Sequence, residues 1–398
     1  MTLALEDLVG DTCRFFAEDW TRRALVHESG RAQAVSELFG LDEVDRLLDG
    51  GLRAPAVRVV RAGAPVSSRD YLKSIHTGGR TITDALDAPR ARSLFAAGAT
   101  LVFQGVHRYH ERIRALSARL EAQIGHPIQA NAYVSPREAR GLPAHHDTHD
   151  VFAIQTYGHK TWNLYAPVVE LPVEQLDVPV RYDDAVEPVR RCRLSAGSCL
   201  YLPRGVPHSA ITESDASIHV TLGVRSPTWL DVFQRIVKEA SQERAFREPL
   251  PVKYADHPNG FEQELAARLE QWAEWLRRQP VTAIGEREMR LASSSSGANL
   301  PASIRAIAAL ADVGDETRVR RTERALELHP SDDSKHVELA LAGRTLRFPA
   351  RVAEAVRFAT ETPSFAVGEL AAHLDADGRR TLCLRLLAEG VLERERAR

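Results

Sequence analysis

The sequence predicts an α+β fold in which a barrel of short strands precedes a set of helices. From residue 128 to residue 224, runs of alternating apolar and polar residues are separated by Gly, Pro and Asp, as in a barrel or a double-sheet jelly roll. After Pro227 the apolar residues recur every three or four positions, which indicates helices. A chain of 398 residues is long enough for two or three domains. We expect three, with boundaries at 1–226, 227–330 and 331–398.

The composition is that of an ordinary globular protein. Hydrophobic residues make up 44% of the chain, and the net charge of −2 gives no electrostatic reason to expect a nucleic-acid or anionic-membrane partner. The first eight residues lack the basic start and apolar run of a signal peptide, and no segment approaches the roughly 20 apolar residues needed to cross a bilayer. The four cysteines form no Cys-x-x-Cys pair, so neither a disulfide framework nor a thiolate zinc site is indicated. We expect a soluble cytoplasmic protein without a membrane partner.

The part of the chain before the strands alternates helical and extended patterns. Aromatic residues recur at helical spacing in Cys13–Trp20, and the valines of Ala56–Val60 indicate a strand. The segment Arg108–Ile124 has apolar residues spaced by three and four, which predicts an amphipathic helix. These elements belong to the first predicted domain.

Six segments then read as strands of the barrel. The residues Tyr157–Lys160 look like the turn of a hairpin that joins the second strand to the third. Alternate residues of a strand face the same side, so Asn131 and Tyr133 share one face of the first strand. Ser217, His219 and Thr221 form the polar face of the last one. The predicted strands are Ile128–Val134, Val151–Gln155, Thr161–Tyr165, Cys199–Leu202, Ser209–Thr212 and Ser217–Val224.

The region after the barrel carries an apolar stripe on one predicted helix. The stripe is wide enough to bury against a partner helix, so we expect a helical dimerisation region and a homodimer. The serine-rich segment Ala292–Asn299 is predicted to be a flexible loop or linker. The residues of the stripe are Phe261, Leu265, Leu269, Trp272, Trp275 and Leu276.

The last segment, Val337–Arg394, is predicted to run strand, helix, short helix, helix, strand. Its central helices are placed at Phe365–Leu374 and Arg379–Gly390. This order resembles a winged-helix domain. From Ser331 to the end, however, 11 basic residues are matched by 11 acidic ones, so no direct binding to DNA is expected.

Three residues of the barrel suggest a metal site. His145 and Asp147 are two positions apart just ahead of a strand, and in a strand such residues face the same side. A helical pairing of His145 with His149 is disfavoured because Gly and Pro precede the motif, and His146 and His149 are taken as pocket or surface residues. His208 stands at the start of a later strand. Two imidazoles and one carboxylate form the facial triad of a non-haem Fe(II) oxygenase; the alternative is a barrel that kept its shape and lost the metal.

The residues around the first histidine extend into a longer pattern, His-x-Asp-x-x-Asp-Val-Phe-x-x-Gln-x-x-Gly-x-Lys-x-Trp. It is matched by His145, Asp147, Asp150, Val151, Phe152, Gln155, Gly158, Lys160 and Trp162. On this pattern, from about Leu8 to the end, the chain resembles the ribosomal-oxygenase group of JmjC-type proteins within the cupin superfamily. The segment Phe15–Leu25 is similar to the opening of that family, and the order of barrel, helical region and winged helix also matches. One difference is that Pro143 stands one residue earlier than the proline that often precedes the first histidine.

The resemblance implies a double-stranded β-helix of the jelly-roll type and a dioxygenase that uses Fe(II), 2-oxoglutarate and O2 to hydroxylate a side chain of a protein or peptide. It implies that His145, Asp147 and His208 are iron ligands. It also implies that Lys160 holds the distal carboxylate of 2-oxoglutarate; without the resemblance, a solvated turn lysine would be the better interpretation. The other co-substrate pocket positions of the family correspond to Asn131, Tyr133 and His219. Ser217 is added to the predicted co-substrate residues because it shares the polar face of the last strand with His219.

The substrate is left open by this resemblance. The position of Lys160 is arginine in the bacterial branch that hydroxylates a ribosomal arginine, whereas lysine is typical of the histidyl hydroxylases. A ribosomal protein is the leading expectation. The alternatives are a small molecule or a ribosomally made peptide as the substrate of the same chemistry, and a metal-free winged-helix regulator. The arginines of residues 137–140 and Arg204 could meet a peptide near the mouth, although solvated loops are the simpler interpretation.

Overall fold

The computed structural model describes residues 3–139, 141–176, 186–214, 216–295, 304–322, 327–331, 333–341 and 344–395. The chain divides into two compact units, with the change from one to the other between Ser226 and Pro227. Both units mix helices with sheets, which confirms the α+β class in its general form. The part of the chain that is described contains no helix long and apolar enough to cross a bilayer.

The first unit contains strands that form three sheets. An eight-stranded sheet has the order β1-β11-β8-β13-β7-β6-β2-β3, a three-stranded sheet has the order β10-β9-β12, and β4 pairs with β5. The strands are β1 (Leu25–Glu28), β2 (Val57–Arg61), β3 (Ala64–Pro65), β4 (Leu72–Thr77), β5 (Arg80–Leu86), β6 (Thr100–Phe103), β7 (Ile128–Pro136), β8 (Asp150–Tyr157), β9 (His159–Leu164), β10 (Arg190–Ser195), β11 (Ser198–Leu202), β12 (His208–Thr212) and β13 (Ala216–Val224).

Helices cover one face of the large sheet. Buried apolar residues of α1, α4 and α6 pack with those of the sheet in one cluster, which includes Leu8, Leu116 and Phe152. A second cluster joins Leu200 and Leu202 of β11 to Trp162 and Leu164 of β9, so the large sheet and the three-stranded sheet share a core. The helices are α1 (Leu5–Val9), α2 (Thr12–Arg14), α3 (Ala32–Ser36), α4 (Leu41–Asp49), α5 (Ala88–Ala96) and α6 (Glu111–Ile124).

The predicted hairpin at Tyr157–Lys160 is wrong. β8 and β9 are consecutive, but β8 pairs with β11 and β13 in the large sheet, whereas β9 pairs with β10 and β12. Gly158, between them, has φ 62°, a conformation that glycine adopts at little cost. A side chain there would collide with the carbonyl of Ala216 and the hydroxyl of Ser214. The glycine therefore turns the chain from one sheet into the other.

The strand geometry by which His145 and Asp147 were expected to face the same side does not hold in the structure. Residues 141–149 are irregular apart from one isolated bridge between His145 and His208. The alternating pattern that follows begins only at Asp150, where β8 starts. The two side chains are therefore brought together by the loop and its bridge, and not by strand periodicity.

The second unit has its own core, built around Val319, Leu339, Phe365 and Leu386. Its sheets have the orders β18-β14-β19 and β15-β16-β17. The strands are β14 (Arg318–Arg321), β15 (Glu327–Pro330), β16 (His336–Leu341), β17 (Arg344–Pro349), β18 (Ser364–Ala366) and β19 (Leu392–Arg394). The helices are α7 (Trp229–Glu239), α8 (Pro258–Arg277), α9 (Val281–Ser295), α10 (Ile304–Ala308), α11 (Ala353–Glu361) and α12 (Ala376–Ala388).

Two sequence predictions for this unit need correction. The predicted linker at 292–299 begins inside α9, which continues to Ser295, and its remainder lies outside the described residues. The predicted helix Phe365–Leu374 starts as part of β18 and continues as a 3-10 turn, because its first residues pair with β14. The division at 330/331 stays a prediction, and the strand pairs β14–β18 and β15–β16 run across it.

Candidate metal centre

The structure brings His145, Asp147 and His208 together. One potential ligand atom from each lies within 4.8 Å of the other two, and His208 Nε2 is 3.7 Å from Asp147 Oδ2. The backbone amide of His208 donates to the carbonyl of His145 at 2.8 Å, and the amide of His145 donates back at 3.1 Å. The carbonyl of Asp147 accepts from the amide of Gly205 at 2.9 Å. Two loops are therefore joined by backbone hydrogen bonds directly beside the three side chains.

Both imidazoles are oriented by carbonyl groups two residues earlier in the chain. His145 Nδ1 lies 2.9 Å from the carbonyl oxygen of Pro143, and His208 Nδ1 lies 3.0 Å from that of Val206. An Nδ1–H that donates to a carbonyl leaves the Nε2 lone pair free for a metal. Burial, followed by the nearby His145, lowers the pKa of His208 to about 4. This keeps the ring neutral, the form in which histidine binds metals.

Lys160 is a buried cation near the triad. Its side chain is 3% exposed, and its Nζ donates to Ser135 Oγ at 3.0 Å and lies 3.1 Å from His219 Nδ1. Within the described part of the chain no carboxylate pairs with it. Burial lowers the pKa of Lys160 to about 7, because the charged form is poorly solvated there. Burial, then the charge of Lys160, lowers the pKa of His219 well below its usual value.

A pocket of about 110 Å³ joins the triad to Lys160; we call it the metal pocket. It is lined by four of the five predicted co-substrate residues: Asn131, Tyr133, Lys160 and His219. The ring of Tyr133 stacks on that of His219, with centroids 4.7 Å apart. The fifth residue, Ser217, does not line it, and its hydroxyl accepts instead from the side-chain amide of Gln155 at 2.9 Å. His149 lines this pocket and His146 does not.

Ser135, Thr100 and Trp162 also line this pocket and were not predicted as site residues from the sequence. Ser135 bonds Lys160 and accepts from Thr100 at 3.1 Å. The position of Ser135, two residues after Tyr133 on the same strand, was a signal that could have identified it. Thr100 belongs to β6, which the sequence analysis did not predict because its four residues are too few to show a period. Trp162 contributes a buried indole N–H that has no hydrogen-bond partner among the described residues.

A buried hydrogen-bonded chain supports the triad from outside the metal pocket. Tyr201 donates to Asp150 Oδ1 at 2.8 Å, and the same phenol oxygen accepts from the amide of Thr21 at 2.8 Å. The amide of Arg204 also reaches Asp150, at 3.4 Å. Burial raises the pKa of Asp150. Thr21, strand β11 and the loop that precedes His208 are thus connected through one carboxyl group.

The donor set fits a divalent metal of the non-haem iron type. Two imidazole nitrogens and one carboxylate oxygen leave half of an octahedral coordination sphere open. The pocket beyond them contains the Lys160 ammonium group and the Trp162 indole N–H, which have no acidic partner and no hydrogen-bond partner, respectively, in the part of the chain that is described, and both can donate to an anion. A small carboxylic acid bound to the metal would therefore meet donors at its far end.

Comparisons with known proteins agree with this geometry. Residues 107–232 match the model of the JmjC domain. Bovine ribosomal oxygenase 2 is 27% identical over 332 residues, which is 74% of this chain and 71% of that protein. The bifunctional lysine-specific demethylase and histidyl-hydroxylase NO66 of Drosophila persimilis is 29% identical over 187 residues, 45% of this chain and 26% of that protein.

A solved structure shares the fold over nearly the whole chain. The Escherichia coli ribosomal oxygenase YcfD, in complex with cobalt and 2-oxoglutarate, aligns over 98% of this chain and 99% of its own, with a TM-score of 0.55 and 16% identity. At that identity the likeness concerns the fold alone. The domain match and the curated relatives make this chain similar to the ribosomal-oxygenase group of JmjC-domain proteins.

Proposed function

We propose that this chain is an Fe(II)- and 2-oxoglutarate-dependent oxygenase that hydroxylates a side chain of a protein, with a ribosomal protein as the leading substrate. The observation that carries the proposal is the convergence of His145, Asp147 and His208 at one end of a pocket whose other end holds the amine of Lys160, which has no carboxylate partner among the described residues. Iron ligands at one end and a carboxylate-binding group at the other are what this chemistry needs.

The triad would hold Fe(II), and Lys160 would bind the distal carboxylate of 2-oxoglutarate. When bound, Fe(II), 2-oxoglutarate and O2 supply the oxidising chemistry that inserts one oxygen atom into a C–H bond and releases succinate and CO2. The protein keeps His208 neutral for ligation and holds its ring through Val206. Lys160 is fixed by Ser135 and His219, and Asn131, Tyr133 and His219 shape the pocket wall. In this proposal Ser217 acts through Gln155 and not on the co-substrate.

The names of the relatives support a protein substrate. Ribosomal oxygenases and a histidyl hydroxylase are among them, and this chain shares with the histidyl hydroxylases the lysine at position 160. This chain spans 71% of the bovine protein but 26% of the Drosophila one. We therefore propose ribosomal proteins as the substrate class. Which residue is hydroxylated is a question for experiment, and histidine is favoured over arginine.

The finer architecture belongs to the same proposal. The strand orders of the large sheet and of the three-stranded sheet support a double-stranded β-helix, because the consecutive strands β8 and β9 lie in different sheets. Strands β14, β18 and β19 beside α11 and α12 support a winged-helix-like end. Leu265 and Leu269 of α8 are 43% and 58% exposed in the single chain, which supports a homodimer. Light scattering of the full chain at micromolar concentration tests this, and a monomer there contradicts it.

Succinate formation from 2-oxoglutarate under air tests the central proposal. The full chain is supplied with Fe(II), and wild type is compared with His145→Ala and with a metal-free sample prepared with a chelator. We expect turnover, even slow and without substrate, in the wild type, and none in His145→Ala or in the metal-free sample. His146→Ala is the matched control, because this neighbour does not line the metal pocket. A wild type that neither binds Fe(II) nor forms succinate contradicts the proposal and favours a metal-free scaffold.

A further inference from the structure

Strand β12 lies at one edge of its sheet, and its backbone groups alternate in direction. The carbonyl of Pro207 accepts from the amide of Tyr165, the residue after β9. The amide of Glu213 donates to the carbonyl of His159, the first residue of β9. In an antiparallel pair every second residue bonds the neighbouring strand. Ser209 and Ile211 therefore bond β9, whereas the N–H and C=O groups of residues 208, 210 and 212 face away from it.

At two of these three residues, the backbone groups that face away from β9 have hydrogen-bond partners. His208 exchanges both backbone hydrogen bonds with His145. Thr212 donates to the carbonyl of Ala139 at 3.3 Å and accepts from the amide of Glu138 at 3.1 Å. Ala210, between them, has no backbone partner across this edge within the described ranges, and it is half-buried. The backbone N–H and C=O of Ala210 are therefore open to a ligand, two residues after the proposed iron ligand His208.

An outer groove meets the metal pocket at this point. It has a volume of about 690 Å³ and is lined by Arg61, Glu138, Pro143, Asn163 and Arg191, among others. Leu142, Ser209 and Ala210 line both this groove and the metal pocket. The opening between the two is therefore bounded by Leu142 on one side and Ala210 on the other.

The wall of the outer groove presents a row of polar side chains. Arg191, Asn163 and Ser209 are direct cross-strand neighbours on β10, β9 and β12. Their side chains share the outer face of the sheet, because they alternate with the inward-facing Cys192, Trp162 and His208. The Asn163 amide is half-buried and makes no hydrogen bond with another described side chain or backbone group. Positive and negative side chains are mixed along the groove, so it does not select for an acidic or a basic ligand as such.

We propose that the outer groove binds a segment of the polypeptide substrate, and that one residue of this segment exchanges both backbone hydrogen bonds with Ala210. On either side of that residue the segment turns away from β12, because His145 and Ala139 already occupy the edge opposite His208 and Thr212. Residues directly opposite each other in such a pair have their side chains on the same face of the sheet. Ala210 shares its face with His208, so the side chain opposite Ala210 projects into the metal pocket towards the triad. The flanking residues of the segment face Ser209, Asn163 and Arg191.

This inference rests on the proposed function and adds the way in which the substrate is held. Backbone pairing is a means of binding a peptide that does not depend on its sequence, and the selected residue is then the one whose side chain fits between Leu142 and Ala210. A small-molecule substrate has no need of an open peptide pair or of a groove several times larger than the inner pocket.

The test uses the full chain with Fe(II), excess 2-oxoglutarate and 15-residue peptides that tile the ribosomal proteins of Escherichia coli. Peptides that increase succinate formation by the wild type are identified, and hydroxylation is confirmed by mass. Ala210→Pro removes the outward N–H without removing a bond to β9, since proline is tolerated at such edge positions. Asn163→Leu removes the amide on the groove wall. Thr161→Leu is the matched control, on the same strand and face but outside the groove.

We expect kcat/KM for the peptide to fall by about 10-fold or more in Ala210→Pro and in Asn163→Leu, the effect of losing one hydrogen bond to the substrate, and to stay within about twofold in Thr161→Leu. Co(II) binding, read from its visible spectrum, shows whether each variant retains a formed site. If kcat/KM for the peptide is equal in all variants, the proposal that the outer groove binds the substrate is overturned, while the proposed oxygenase activity is unaffected. A wild type that forms succinate but responds to no peptide overturns the polypeptide occupant. No metal binding by the wild type overturns the proposed function itself.

Discussion

The ammonium group of Lys160 lies 3.1 Å from Nδ1 of His219, and the imidazole of His219 stacks on Tyr133. The second partner of the ammonium group is the hydroxyl of Ser135. Both partners are neutral, so within the described residues this buried charge has no counter-ion. A buried charge without a partner is costly, and a ligand carboxylate removes that cost. This relationship is the physical basis of the proposed co-substrate site.

Removing the ammonium group should affect the co-substrate more than the metal. In Lys160→Ala the distal carboxylate of 2-oxoglutarate loses a charged partner in a buried place, so we expect KM for 2-oxoglutarate to rise by at least about 100-fold. Fe(II) affinity should stay within about threefold, because Lys160 is not a ligand. Succinate assays over a range of 2-oxoglutarate concentrations and a metal titration measure the two effects. An unchanged KM contradicts the role given to Lys160.

The lowered pKa of Lys160 predicts a pH dependence of co-substrate binding. With a pKa of about 7 in the free protein, the ammonium form dominates below pH 7 and is lost above it. An anion binds the charged form and raises its pKa, so the apparent Kd of 2-oxoglutarate should rise with pH, by roughly fivefold from pH 7 to pH 8. Calorimetry on the Co(II)-loaded protein in buffers of different ionisation enthalpy measures both this change and the accompanying proton uptake.

The matched variant for this pH effect is Lys160→Arg. A guanidinium group remains charged at these pH values even when buried, so whatever affinity the variant retains should be nearly constant from pH 6 to pH 9. If wild type and variant show the same slope, the titrating group is not Lys160.

The hydroxyl of Tyr201 should matter for metal binding although it lies outside the metal pocket. Tyr201→Phe removes the donor to Asp150 and the acceptor for the amide of Thr21. Asp150 is buried and the bond to Thr21 is partly buried, so we expect a loss of about 1–3 kcal/mol in the free energy of unfolding and a 10- to 100-fold weaker Fe(II) affinity. Denaturant unfolding and a Co(II) titration are the measurements. Tyr109→Phe, at an exposed tyrosine, is the control, and equal Co(II) affinity in the two variants contradicts a positioning role.

The turn between β8 and β9 should tolerate no side chain. Gly158→Ala meets both an unfavourable backbone conformation, which costs about 1–2 kcal/mol, and a collision with the carbonyl of Ala216. Gly79→Ala is the matched control, because Gly79 also has a positive φ, 76°, but has open space around it. We expect Gly158→Ala to lower the free energy of unfolding clearly more than Gly79→Ala. If denaturant unfolding shows equal losses of free energy of unfolding in the two variants, close packing around Gly158 is not what the turn requires.

The chemistry of the site was easier to predict than its geometry. Ligand types and their order along the chain selected His145, Asp147 and His208 as candidate ligands, and the structure brings the three side chains together, although the strand argument used for the first two was wrong. Ser217 was assigned by alternation alone, and it does lie on the same face of β13 as His219, but its hydroxyl is bonded by Gln155 of β8. A partner on another strand is set by tertiary contacts, so the local pattern of β13 could not reveal it. The local pattern likewise could not show that β8 pairs with β11 and β13, whereas β9 pairs with β10 and β12.

The bond between Thr21 and Tyr201 has a consequence for how this protein forms. The two residues are 180 positions apart in the chain, and contacts of such long sequence separation form slowly because a large loop must first close. During synthesis the segment around Thr21 emerges early and has to remain without its partner until β11 has been made. We therefore expect iron loading to be one of the last events of folding, since the loop that presents His208 is completed only after this contact closes.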